Sequence, residues 1–311
     1  MREMFLGEFI KNRRMELGLT QEQLCEGICE PITISRLENG KQTPSRNRIN
    51  ALLQRLGLPG DRYYALLSKN EKEVAALRKE IRTDEIRLGR AVEQERPGIR
   101  ARLMENLARL EAIVEPDDQI TRQGILRTRA FQEEHSPEEQ LELLLRAIKL
   151  TVPRFDLETI DRGLYSLDET TLINGIAYLY DQMGEVRIAA EIYRQLLKYV
   201  ESHDRDLSEF AGHFCMVAHN YAIALRRGKR YEESVELAQR GWQACVEYGH
   251  YQLLPGFLSI MAECSCILGE EVRARELYYQ AYYIYKAVRD ENNAARVQRE
   301  VKEYLNLKIQ F

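Results

Sequence analysis

The run Ile34-Ser35-Arg36-Leu37-Glu38-Asn39-Gly40-Lys41-Gln42-Thr43-Pro44-Ser45, preceded by Thr20-Gln21-Glu22-Gln23-Leu24, decides the fold of the first part of this chain. Pro31 is preset for a first helical turn and opens a short helix to about Asn39, which Gly40 ends. Ile34 and Leu37 face inward on it, whereas Ile32, Thr33 and Arg36 point elsewhere. Thr20 and Gln23 fit a capping box at the start of the preceding helix, where Leu24 and Ile28 face inward. Further upstream, Phe5, Leu6, Phe9, Ile10 and Leu17 make an apolar stripe at three- and four-residue spacing, stopped by Gly18. Downstream, Thr43-Pro44 starts a fourth helix with Ile49, Leu52, Leu53 and Leu56 inward and Gly57 closing it, and a fifth lies around Tyr63 to Leu67. Five short helices result, and the third is polar on one side and follows a tight turn, so it can project into a major groove.

The quoted string strongly resembles the Xre/Cro/phage-repressor helix-turn-helix family. The resemblance implies that Pro31, Ile32 and Arg36, with Thr33 beside them, stand where the family reads bases. Arg36 can offer a bidentate fork to guanine and Ile32 can touch a thymine methyl. Gln21 stands where the second helix meets a phosphate, and Asn39, Lys41 and Thr43 follow as backbone clamps. Arg14 and Glu38 occupy positions that the family joins in a structural ion pair. Lys11 and Arg13 lie nearer the surface, as phosphate contacts or a solvated face. One departure is the stretch Leu24-Cys25-Glu26-Gly27-Ile28-Cys29-Glu30-Pro31, a residue shorter than usual, which looks like the subgroup fused to peptide-sensing repeats. Glu30 there repels phosphate unless it accepts from a cytosine amine.

With 311 residues the chain has room for two or more units. Hydrophobic residues make up 44% and Pro only 8 residues, a balance that favours packed helices over sheets or disorder. No stretch approaches the ~18 apolar residues of a membrane span. The segment Met1 to Glu8 carries acids and no signal-peptide core, so a cytoplasmic location is expected. Cys25, Cys29, Cys215, Cys245, Cys264 and Cys266 form no CxxC knuckles, and there is no HExxH; free thiols are expected, with no metal or cofactor. The net charge of −4 divides unevenly: residues 1–68 hold ten Lys/Arg against eight Asp/Glu, +2, leaving −6 for the rest. That sign suits a phosphate-facing head on an acidic body.

From Lys69 to about Arg96 the chain is highly charged, with Val74, Leu77, Ile81, Leu88 and Val92 forming one narrow apolar seam. It reads as the first helix of the next domain, which is compatible with a connector that also helps the heads dimerise. The expected division is 1–68 for the helix-turn-helix domain, 69–96 for this linker helix, and 97–311 for the remainder.

Three later segments align on a glycine: Gly175 to Gly184, Asn220 to Gly228 and Met261 to Gly269, the terminal glycines 44 and 41 residues apart. Each is an apolar helix, a turn, and an amphipathic helix with small residues such as Ala189, Ala238 and Ala281. Such hairpins cannot bury their faces alone and must stack into a superhelix. They resemble the tetratricopeptide repeat, with a longer period than its usual ~34 residues. Residues 98–166 read as further hairpins of weaker signal, on Ile99, Leu103, Leu107 and Leu110, then Leu141, Leu144, Leu145 and Ile148. The fold class is all-α: a five-helix Xre/Cro-type head followed by a tetratricopeptide-like superhelix.

The resemblance places Asn220 where tetratricopeptide domains set an asparagine that grips a ligand's backbone, and Asn174 at a similar place one repeat earlier. Tyr178, Tyr221, Arg226 and Phe257 are further groove candidates, while Tyr282, Tyr283 and Tyr285 read as packing or interface residues. Head and body together resemble the Rgg–PlcR–PrgX group of quorum-sensing regulators. The resemblance implies a cytoplasmic homodimer that binds a double-stranded operator, with a short signalling peptide in the concave groove setting its DNA affinity. The alternative is a constitutive or protein-partnered repressor whose repeats serve only dimerisation or protein binding. No Ser/His/Asp set or phosphate loop suggests an enzyme.

Overall fold

A computed structural model describes residues 6–58, 69–91, 93–132, 134–203 and 207–306. Among them the regular structure is helical throughout. The head contains α1 (Leu6–Glu16), α2 (Gln21–Cys25), α3 (Pro31–Glu38) and α4 (Arg46–Arg55). The expected fifth helix at Tyr63 to Leu67 lies outside the described residues, as do Phe5 and Val92. Ile10, Leu24, Ile34, Leu37, Ile49, Leu52, Leu53 and Leu56 are buried together as the core of the head. The capping box at Thr20 forms, with Thr20 Oγ1 accepting from Gln23 N at 3.1 Å and Gln23 Oε1 accepting from Thr20 N at 2.7 Å. α4 begins at Arg46 rather than at Thr43, because a residue before proline is pushed out of the helical region. Pro44 is buried, and Ser45 takes the N-cap position.

The body is a succession of helical hairpins: α5 (Lys69–Arg90) with α6 (Arg96–Ile113), α7 (Gln119–Gln132) with α8 (Pro137–Thr151), α9 (Leu167–Gln182) with α10 (Val186–His203), α11 (Leu207–Arg227) with α12 (Tyr231–Tyr248), and α13 (Leu254–Ile267) with α14 (Glu271–Ala287). α15 (Glu291–Leu305) closes the series against α14. One continuous core runs from Ala130 on α7 to Val301 on α15, as a stack of units that bury one another's faces demands. The linker segment joins the body: Val74, Leu77 and Ile81 of α5 bury against Leu103, Leu107 and Leu110 of α6 and Ile125 of α7.

The repeat turns need a small correction of register. Gly184 and Gly269 take the left-handed conformation, but in the middle repeat the left-handed residue is Lys229, one place after Gly228. The same bond closes each turn, from the following amide back to the helix: Glu185 to Tyr180 O, Arg230 to Leu225 O, Glu270 to Ser265 O. Within the stack α9 touches α11, α11 touches α13, and α13 touches α15, so the first helices of the hairpins form an inner layer. At its far end α15 meets the start of the body, where Asn292 Nδ2 donates to Ala91 O at 3.2 Å, just past α5.

Candidate functional site

Two surfaces carry the sequence-derived candidates, and a buried seam joins them. On the head, α3 rests its Ile34 and Leu37 side on the core and turns the other outward, with Ile32 56% exposed and Arg36 also exposed. Pro31 and Thr33 are half-buried beside them. Asn39 is held at the C-terminal end of α3 by its Nδ2 bond to Ser35 O, 2.7 Å, and Lys41 and Thr43 are exposed beyond it. Arg36 Nη1 donates to Gln42 Oε1 at 3.5 Å, and among the described residues no carboxylate pairs with its guanidinium. Ile32 and Arg36 thus stand together on the outward side of α3, an apolar group and a guanidinium of the kinds that can meet a thymine methyl and a guanine edge.

Beneath this face Arg14 and Glu38 are paired bidentately, at 2.6 Å through Nε and 2.9 Å through Nη2. Arg14 Nη1 also donates to Leu19 O, and Gln21 Nε2 donates to Glu38 at 2.8 Å, so the side chain of Gln21 is committed to the pair. Arg13 departs from its expected place near the surface. It is 7% exposed, and its Nε donates to Leu56 O at 2.9 Å, tying α1 to the end of α4.

Sequence reasoning missed the seam. Arg55 of α4 is 2% exposed and donates to Leu24 O, Glu26 O and Thr151 O, and to the carboxylate of Glu169 at 2.9 Å. Glu169 also caps α9 by accepting from Ser166 N at 2.6 Å. The backbone carbonyl of Arg55 meets His203 Nε2 at 2.6 Å, and Gln54 Oε1 accepts from Leu167 N. Gly27 and Gly57 sit at this contact with φ of +72° and +64°; a Cβ on them would lie 2.0 Å from Thr151 O and 2.7 Å from His203 O. The unusual turn before α3 is thus shaped by the body it touches. A signal for Arg55 was present, since it falls at helical spacing from Leu52 within an apolar stripe, but its partner lies on α9.

The inner layer brings Asn174 and Asn220 together. Asn220 Nδ2 donates to Asn174 Oδ1 at 3.2 Å, and Asn220 Oδ1 lies 3.3 Å from His219 Nδ1. Tyr178, 42% exposed, stands one turn beyond Asn174 on α9. Further along, Arg227 pairs with Asp181, and Arg226 pairs with Glu263, which also accepts from Tyr304 at 2.9 Å. One oxygen of Asp181 and the Nε of Arg226 are buried and have no hydrogen-bond partner among the described residues. Burial raises the Asp181 carboxyl above its usual range despite the arginine beside it.

Two groove candidates lie elsewhere. Phe257 is fully buried, edge-on to His219 at 5.3 Å and tight beneath Gly241, so it supports the lining from behind. Tyr221 stacks on Tyr193 at 6.1 Å and opens onto a separate cleft of about 300 Å³ with Arg187, Arg194 and Arg230. Its position one residue after Asn220 rotates it by about 100° around the helix, off the inner face. The six cysteines are unpaired, and burial pushes the thiols of Cys29 and Cys266 up to about 11.

A helix-turn-helix head on a helical-repeat body defines the class of this chain. A helix-turn-helix domain model matches residues 6–65, and the RNPP family C-terminal domain model matches residues 149–306. The chain belongs to the RNPP family. No curated protein matches it. Among solved structures, PlcR of Bacillus thuringiensis in complex with the peptide PapR7 and DNA superposes with a TM-score of 0.60 at 22% identity, over 94% of this chain and 98% of that one. PlcR in its apo form gives 0.55 at 20% identity, over 95% and 98%. ComR from S. thermophilus, in complex with DNA and its signalling peptide ComS, gives 0.51 at 14% identity, over 95% and 98%. These likenesses establish a shared fold along nearly the whole chain.

Proposed function

We propose that this protein is a sequence-specific DNA-binding transcriptional regulator controlled by a short signalling peptide in the groove of its inner helices. The observation that carries the reading is the Asn174–Asn220 pair, two amides on facing inner helices of a body whose Glu169 holds Arg55 of the domain that exposes α3. PlcR and ComR, which share the fold, were each captured with DNA and a peptide. Pro31, Ile32, Thr33 and Arg36 read bases, while Gln21, Asn39, Lys41 and Thr43 hold the backbone. The peptide lies along Asn174, Tyr178, Asn220 and Arg226. The regulator acts in the cytoplasm as a homodimer, without enzymatic activity, and divides at residues 68 and 96. Peptide controls DNA affinity by binding one arrangement of head and body better than another.

Thermal unfolding of the full chain against a pool of short peptides tests this. A peptide at 100 times its dissociation constant should stabilise by about 2.7 kcal/mol, raising the midpoint. A hit that also changes operator affinity supports the reading. Silence across a broad pool, with operator binding intact, would turn it toward a repressor whose repeats bind protein.

A further inference from the structure

A cleft lies away from the Asn174–Asn220 groove, in a wedge among α6, α7 and α8. It is open on one side and has a volume of about 710 Å³, within the range of small-molecule pockets. The wedge arises because α6 spends its apolar face on α5 and meets α7 only sparsely. Its floor is apolar, made by Val114, Ile125, Leu126 and Leu150. Its rim is cationic. Arg122, Arg146 and Lys149 are exposed, and among the described residues none has a carboxylate within ion-pair distance; the guanidinium of Arg122 donates only to Pro116 O. Arg129, a fourth cation, is paired with Glu111 at 2.6 Å, so Glu115 alone opposes three uncommitted positive charges. A cationic rim of this kind on a body of net negative charge is a local reversal of the field. No aromatic ring lines the cavity, so a nucleobase would find no surface for stacking.

We propose that this cleft binds a small amphipathic organic anion, a carboxylate or phosphate head drawn to Arg122, Arg146 and Lys149 with a hydrocarbon part on Ile125, Leu126 and Leu150. Both walls of the cleft also seat the head. Lys149 and Leu150 precede Thr151, whose carbonyl accepts from Arg55 at 2.7 Å. On the other side, Glu115 and Pro116 precede Asp117, which accepts from Arg48 at 2.7 Å, and Ile120, which packs into the core of the head. An occupant therefore lies between two attachment points of the DNA-reading domain and is a second input to it, independent of the groove.

Isothermal titration of the full chain with hexanoate and with hexyl phosphate tests the site, with inorganic phosphate as the purely electrostatic control. The expected result is saturable one-to-one binding of one or both amphipathic anions; the tighter of the two identifies the head group. Binding should weaken about tenfold or more in the double variant Arg146→Gln/Lys149→Gln, whose side chains are exposed and whose fold should be unchanged, and should persist in Asn220→Ala. The proposal is overturned if neither anion saturates the protein in the millimolar range. Equal affinity in the double variant, or inorganic phosphate binding as well as hexyl phosphate, would overturn it too.

Discussion

Arg55 and Glu169, 114 residues apart, form an ion pair in which each side chain is only 2% exposed. Arg55 belongs to the DNA-reading head and also holds the two carbonyls at the α2–α3 turn, Leu24 O and Glu26 O. Glu169 lies on the helix that carries Asn174, five residues earlier in the chain. The pair thus joins the helix that carries Asn174 to the turn before α3, beside the contacts of Gln54 with Leu167 and of Arg55 O with His203.

Breaking one side of the link should be costly. Glu169→Gln keeps a side chain able to cap α9 but leaves Arg55 charged and buried without its counter-ion. Loss of about 3–5 kcal/mol in denaturant unfolding is expected, with Arg55→Met similar, and the double variant Arg55→Met/Glu169→Leu should lose less than the sum. Additive losses would mean that the two side chains do not act as a pair.

Arg36→Ala should lower operator affinity by about 1–3 kcal/mol and relax specificity at one base pair, with no change in unfolding midpoint, because the side chain is exposed. Binding-site selection on the variant checks both parts. Unchanged specificity would remove Arg36 from the reading face.

Asn220→Ala removes the donor that Asn174 Oδ1 holds at 3.2 Å and should cost about 1 kcal/mol in stability. Operator affinity without peptide should stay as it is, while peptide stabilisation should fall sharply. Normal peptide affinity measured by calorimetry would place the ligand elsewhere in the superhelix.

Acid should loosen the body in a defined window. Burial pushes His213 down to about 4, with Asp168 opposing and Arg82 and His250 adding to the depression. His219 is likewise pushed down to about 4 by burial, with the Asn220 hydrogen bond opposing. The unfolded chain takes up these protons from the ordinary value of 6.5 downward, whereas the folded one does so only near 4. Stability is therefore fully present above about pH 6.5 and declines as pH falls toward 4. Chemical unfolding midpoints across that range should show the slope, and His213→Gln should flatten it.

The head was legible because its logic is local. Thr20 with Gln23, Pro31 at a helix start, and the spacing of Ile34 and Leu37 each speak within a few residues, and the motif around Arg36 and Glu38 added the tertiary pair with Arg14. The body's hairpins were legible for the same reason. What was not legible depends on distance in sequence. Arg13 stands among polar neighbours, and only the end of α4 arriving above it makes it buried. Arg55 advertised its inward face but not Glu169. Tyr221 is turned from Asn220 by helical rotation alone, and Phe257 of α13 is buried among apolar neighbours, so composition does not distinguish either of them from an exposed aromatic such as Tyr178. The one-residue offset of the middle repeat escaped because Lys229 adopts a backbone conformation for which glycine is the usual signal.

Asn292 Nδ2 reaches back across 201 residues of chain to Ala91 O, a single stitch between the last helix of the series and the end of α5. One hydrogen bond from an exposed side chain contributes about 0.5–1.5 kcal/mol, so it yields to small distortions elsewhere in the stack. The body is therefore a spring whose ends touch at one point, in which each hairpin takes its resistance to bending from the neighbours it packs against.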